Sequence, residues 1–246
     1  MADDSLATTA ASPRPNSGPV TEFSRLSIKD GLSDADKEVI PRVLAHAKKL
    51  MEDFTCRSFF IFEGIEQPGH IFILGEWASV EQHMKEWIPS PQNQGLLKDL
   101  EHLVNVDWLF HLDIAFGSLP ISRQVLGTGQ ELFAERTDGD AIRPIVFSCG
   151  IQVMDTSKRP GFETTFNKGK PCLEAHTLGH VSSGWRVDAD AGREEFVLFS
   201  PWKTVSEHMA FGKTSDFQEY VKIREFIRVD ASEVFHMSIK ELPLGK

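Results

Sequence analysis

Trp77 to Met84 reads WASVEQHM, and Trp202 to Met209 reads WKTVSEHM. Phe110 to Ile114 reads FHLDI, and Phe235 to Ile239 reads FHMSI. Both pairs are separated by the same 125 residues, so the register holds without a gap from Trp77 to Ile114. Nine positions in that window are identical, among them Trp77, His83, Met84, Phe110 and His111. Average residue usage gives roughly two matches over such a span, and Trp, His and Met are scarce residues. Repetition at a long fixed period is a statement about architecture: one structural unit occurs twice. Upstream the match is looser. FS at Phe23 pairs with FS at Phe147, an offset of 124. The acidic stretch DADAGREE, Asp188 to Glu195, lengthens the second copy and reads as a longer hairpin turn.

Each copy reads as β-α-β-β-α-β. Copy one opens with a strand from Glu22 to Lys29. Ser33 is an N-cap candidate for a helix whose apolar face is Val39, Val43, Ala47, Leu50 and Phe54, with Pro41 predicting a kink or a late start. SFFIFEGIE and HIFILGEW form a hairpin across the turn Glu66 to Gly69. Ser79 with Gln82, and Thr204 with Glu207, are capping boxes, and Val80, Met84 and Trp87 share one helix face. A second helix starts at Ser90–Pro91, and its counterpart at Ser215 with Gln218. The last strands are WLFHLDI and EVFHMSI.

The fold class is therefore α+β, with two ferredoxin-like repeats that each carry a four-stranded antiparallel sheet. Helices cover only one sheet face. The other, left bare, is too large an apolar patch for a soluble protein. The two sheets are expected to pack face to face within one chain, as an intramolecular, pseudo-dimeric α/β barrel. The expected divisions are a disordered tail over 1–21, a first repeat over 22–116, a linker over 117–142 and a second repeat over 143–246.

Composition narrows the function classes. The formal charge is −10, which offers no footprint for nucleic acid. No apolar run approaches the roughly 18 residues that span a bilayer, and the first 20 residues have acids where a signal peptide needs positive charge. Cys56, Cys149 and Cys172 show neither metal-ligand spacing nor a disulfide framework. The expectation is a cytoplasmic, monomeric pseudo-dimer without membrane or nucleic-acid partners.

A third strand ending in Trp, then S-V-E-x-H, a helix and a last strand with F-H-x-x-I resembles the antibiotic biosynthesis monooxygenase type of dimeric α/β barrel. That superfamily also holds stress-responsive A/B barrel proteins and polyketide cyclases, and tandem chains of this sort resemble proteins of filamentous fungi. The resemblance implies a cofactor-free pocket between sheet and helices in each half. It implies oxygenation or ring closure of a small hydrophobic metabolite, aromatic or polyketide-derived. A non-catalytic ligand-binding or stress-response barrel, and a haem-binding one, are the alternatives. Cyclases of the superfamily place a His and a Tyr near the start of the second helix. Here those neighbourhoods hold Trp87 and Asn93 in copy one, and Gly212 and Phe217 in copy two.

His111 and His236 are the leading polar candidates. Alternation along the strand sets Phe110, Leu112 and Ile114 on one face, expected to pack on the helices, and His111 on the other, toward the sheet–sheet interface. Asp113 beside His111, and Ser238 beside His236, share that face. A general base oriented by a carboxylate and a hydrogen-bonded register pin are both open readings. His83 and His208 either line a pocket or pack against Trp77 and Trp202. Copy two carries His176, His180 and Trp185 in or near its second strand, where copy one has Phe59, Phe60 and Phe62. That asymmetry points to copy two as the half with a ligand site. His180 and Trp185 would form its wall, with His236 in support and room opened by Gly169 and Pro171 in its first helix. An exposed edge-strand position for His176 and His180 is equally open. The His spacing resembles no metal site, and GTGQ at Gly127 lacks the context of a phosphate loop.

Overall fold

The computed structural model describes residues 18–121, 133–134, 143–144 and 146–243. The tail over 1–17, most of the 117–142 linker and the GTGQ stretch lie outside the described residues.

The strands of copy one are β1 (Val20–Ile28), β2 (Phe59–Gly64), β3 (His70–Trp77) and β4 (Val104–Leu112). Its helices are α1 (Asp34–Thr55) and α2 (Pro91–Leu100), with a π-helical turn over Gln82–Trp87. A two-residue hairpin pairs β5 (Phe133–Ala134) with β6 (Arg143–Pro144). Copy two follows with β7 (Val146–Asp155), α3 (Arg159–Glu174), β8 (Ser182–Trp185), β9 (Arg193–Trp202), α4 (Val205–Phe211), α5 (Ser215–Tyr220) and β10 (Glu233–Ile239).

Local chemistry sets the helix starts. The Ser33 side chain accepts from the Asp36 amide and Asp36 reaches back to the Ser33 amide, a closed capping box. Pro41 lies inside α1 without ending it. Ser79 accepts from the Gln82 amide at 3.1 Å, while the Gln82 side chain accepts from the Ala78 amide at 2.8 Å. Thr204 caps α4. The cap of α5 is Thr214, which accepts from the Phe217 amide, one residue before the expected Ser215. Two short, polar side chains adjoin there, and the extended backbone of Thr214 fits the cap position.

Eight strands form one antiparallel sheet in the order β4-β1-β3-β2-β10-β7-β9-β8. Within each half the order is last-first-third-second. At the central seam β10 of copy two pairs with β2 of copy one, and the Ile65 amide donates to the His236 carbonyl at 3.0 Å. The outer strands β4 and β8 are also linked, through a bridge at Leu112 and Arg186. There the Val187 amide donates to the His111 carbonyl at 2.9 Å and the Asp113 amide to the Trp185 carbonyl at 3.0 Å. Both seams thus use the last strand of one half and the second strand of the other.

The register corrects one sequence alignment. Val20 lies opposite Trp77, and Val146 opposite Trp202. Glu22 lies opposite His111, and Ser148 opposite His236. The first strands therefore correspond at an offset of 126, and the FS pairing at 124 is displaced by two residues. A two-residue slip keeps every side chain on its face, which is why Phe23 and Phe147 still point into the same core.

That core joins the halves. Phe23 meets Phe199 at 5.1 Å, Phe62 meets Phe147 at 5.7 Å and Phe72 stacks on Phe235 at 4.7 Å between ring centroids. Phe60, Phe110, Leu112, Ile114 and Met237 belong to it as well. Two further clusters lie under the helices, one in each copy. Among the described residues, no helix is long and apolar enough to cross a membrane.

Candidate active site

The two strand histidines face the helices, and the expectation that they face the sheet–sheet interface is wrong. The alternation holds along both strands, with the two faces the reverse of those expected. Phe110, Leu112 and Ile114 carry the bulk that fills the space shared by the halves, so His111 turns outward to the helix layer. There it meets His83. The His83 Nδ1 and His111 Nε2 atoms are 2.8 Å apart, and both rings are buried. In copy two His208 Nδ1 and His236 Nε2 are 2.6 Å apart.

Each helix histidine also rests on the Trp that ends the third strand. His83 stacks on Trp77 with centroids 4.0 Å apart and planes 3° from parallel, and His208 tilts on Trp202 at 4.8 Å. Of the apolar face expected over Val80, Met84 and Trp87, Trp87 points inward, and His83 takes the inward place of Met84. The π-helical turn brings both of these to 2% exposure and leaves Met84 at 44%. Met209 is likewise exposed.

The carboxylates behind the strand histidines are neither Asp113 nor a neighbour on the same strand. Asp113 instead accepts from the Trp185 amide at 2.6 Å. His111 Nδ1 lies 2.8 Å from Asp188 Oδ2, and the His111 amide donates to the other oxygen of that carboxylate at 3.3 Å. His236 Nδ1 bonds to Glu66, whose second oxygen accepts from the His236 amide at 3.1 Å. Ser238 is not its partner. Asp188 sits in the β8–β9 turn and Glu66 in the β2–β3 turn, so each carboxylate comes from the opposite half. Both turns are legible in the sequence, and an acid in each was the available signal.

Burial pushes the Asp188 carboxyl up, but bonds from His111 and Arg186 outweigh it and hold it below the usual carboxylate range. Glu66 is treated the same way: desolvation opposes, while backbone amides and the His236 ring lower it. Desolvation, with the neighbouring His236 ring, depresses His208 to about 4 despite the opposing pull of Glu66. His83 is depressed as well, first by burial. Both helix imidazoles are therefore neutral near pH 7.

The halves differ in the space beside this relay. In copy two a cavity of about 370 Å³ lies between the sheet and α4–α5. Ser148, Gln152 and Ser200 line its sheet side; His208, Phe211, Gly212, Phe217, Tyr220 and Arg224 line its helix side. Copy one fills the matching volume. Glu22 stands where copy two has Ser148, Ser24 where it has Gly150, and Trp87 where it has Gly212. Trp87 packs on Phe54 at 5.2 Å and on Trp77 at 6.0 Å. Glu22 accepts from the Trp77 indole at 2.7 Å and from Ser24 at 3.0 Å, and its Oε2 lies 3.8 Å from His83 Nε2.

The remaining candidates fall elsewhere. His176 and His180 lie in the loop before β8, because that strand begins only at Ser182. His176 bonds Asp216 at 2.9 Å and steadies α5. The exposed His180 side chain, 3.4 Å from Glu174, lines a separate surface pocket with Lys170 and Leu178, and neither it nor Trp185 lines the cavity beside the relay. Trp185 packs against Phe162 and Phe196 with the Arg159 guanidinium 3.9 Å above its ring, so it is core. Gly169 does not open room either. An added Cβ would lie 3.0 Å from the Tyr220 Cα, so this glycine lets α3 and α5 approach. Phe59 belongs to the helix-side cluster of copy one, where it fills the space over Gly75. Among the described residues no group of three or more metal-ligating side chains is placed to hold a metal ion.

No family model matches the chain, and no curated protein does. Solved structures share its fold. A candidate chlorite dismutase aligns with TM-score 0.59 at 9% identity, covering 92% of this chain and 96% of its own. A candidate monooxygenase of Fusobacterium nucleatum aligns with TM-score 0.57 at 10% identity over 92% and 94% of the two chains. An anthrone oxidase-like protein aligns with TM-score 0.56 at 8% identity over 90% and 92%. At such identities the likeness is one of fold.

Proposed function

We propose that the chain is a tandem member of the antibiotic biosynthesis monooxygenase type of barrel, of the kind found in filamentous fungi. In this reading its two repeats close into one pseudo-dimeric barrel. Its working site is the copy-two cavity, where it acts without a cofactor on a small hydrophobic, aromatic or polyketide-type metabolite. The observation that carries the proposal is a neutral His208 lining an apolar cavity that copy one has filled. Enzyme pockets combine apolar walls with a few convergent polar groups. Here His208, Tyr220 and Arg224 supply them from the helix side. A neutral imidazole accepts a proton from an activated C–H or phenolic O–H. Burial pushes the Tyr220 phenol up, so it stays protonated and donates a hydrogen bond to the oxyanion that results. Arg224 adds positive charge to the same wall. Proton removal of this kind opens both oxygenation by molecular oxygen and aldol ring closure.

Phenolic and polyketide-like compounds that raise the melting temperature would be incubated aerobically, with product mass and oxygen uptake followed. Turnover by the wild type and a drop of about 10²–10⁴-fold in H208A are expected, the usual worth of a general base. Binding without turnover would identify a non-catalytic ligand-binding barrel instead. A Soret band on adding haemin would replace the cofactor-free reading.

A further inference from the structure

We propose that Glu66, in copy one, is the positioning residue that fixes the tautomer of His208 in copy two. Glu66 is an acceptor only, and it meets both the ring and the amide of His236. The His236 ring must therefore carry its proton on Nδ1, which leaves Nε2 as an acceptor. His236 Nε2 faces His208 Nδ1 at 2.6 Å, so His208 must donate there. Its own Nε2 is then the basic nitrogen, in a residue that lines the cavity. One carboxylate on a turn of the other half thus decides, through two rings, which nitrogen of His208 is basic. It also favours the imidazolium once a proton arrives.

The same grammar recurs in copy one. Asp188 takes the ring and the amide of His111, and His111 Nε2 faces His83 Nδ1 at 2.8 Å. Asp113 and Ser238, the acids and hydroxyls nearest in sequence, take no part. Neither half completes its own relay.

Only the consequence for turnover rests on the proposed activity; the tautomer can be measured without a substrate. Long-range proton–nitrogen spectra of full-length protein, labelled on histidine, report the two ring nitrogens of His208 separately. In the wild type they should be well split, with the proton on Nδ1. E66A should collapse that splitting toward averaged shifts, while E66Q, which keeps an acceptor oxygen, should preserve it. Glu63 provides the control, because it forms a 2.6 Å ion pair with Lys240 across the same seam. E63A should leave His208 unchanged. An unchanged His208 in E66A, or equal changes in E63A and E66A, would overturn the assignment. The second result would reduce Glu66 to a seam contact. A collapsed splitting in E66A, with product formation undiminished, would uphold the tautomer role and defeat the catalytic reading instead.

Discussion

An imidazole with one nitrogen committed to a neighbour has a single nitrogen left for chemistry, and burial then decides its charge. His208 shows both effects. Its folded pKa of about 4 lies below the 6.5 of a free imidazole. Between those values the unfolded chain binds more protons, so the folding equilibrium takes a proton-linked penalty. Stability from this group is full above about pH 6.5 and falls as pH drops toward 4. Urea midpoints of wild type and H208Q, compared at pH 7 and pH 4.5, check this. The wild type should lose more on acidification, with His83 keeping part of the slope in both. The histidines were legible at this scale because they repeat. Their orientation was not, since alternation separates two faces without saying which one meets the helices. The carboxylates were hidden for a different reason: they act across the chain, 170 residues from His236 for Glu66 and 77 from His111 for Asp188.

Two elements built from one pattern end differently because a few positions change volume. The helical segment after the third strand carries Trp87 in copy one, after β3, and Gly212 in copy two, after β9, and β1 carries Glu22 where β7 carries Ser148. The larger residues make a packed layer, and the smaller ones leave the cavity. W87A should therefore cost about 3–5 kcal/mol of stability, the usual range for removing a buried aromatic ring. Chemical denaturation measures that loss. G212W, which copies the occluded half into the open one, should abolish ligand-induced thermal shifts. Its unliganded melting temperature should change far less than that of W87A. Ligand shifts surviving in G212W would place the binding site outside this cavity. Element types and order could be read from the sequence because capping residues and hairpin turns announce them locally. The cavity could not, because its walls come from β7, β9, β10 and the α4–α5 region together. The repeat sets Gly212 against Trp87 in the sequence itself, but only the fold places that position beside a cavity.

Across the whole molecule the halves share a core, two strand seams and two relays. Among the described residues both seams are filled from within the chain, so light scattering should give one species near 27.6 kDa. A dominant species at twice that mass would mean that repeats pair between chains. The crossed carboxylates set how such a molecule can change over time. A duplicated half that is no longer used usually drifts freely. Copy one holds Trp87 and Glu22 where copy two has Gly212 and Ser148 beside its cavity, as an idle half would. Its β2–β3 turn is not idle, because Glu66 stands at the far end of a relay that finishes in the other half's cavity. The tandem is therefore locked: Glu66 of copy one completes the relay of copy two, Asp188 of copy two completes that of copy one, and neither repeat can be cut away without breaking the other's relay.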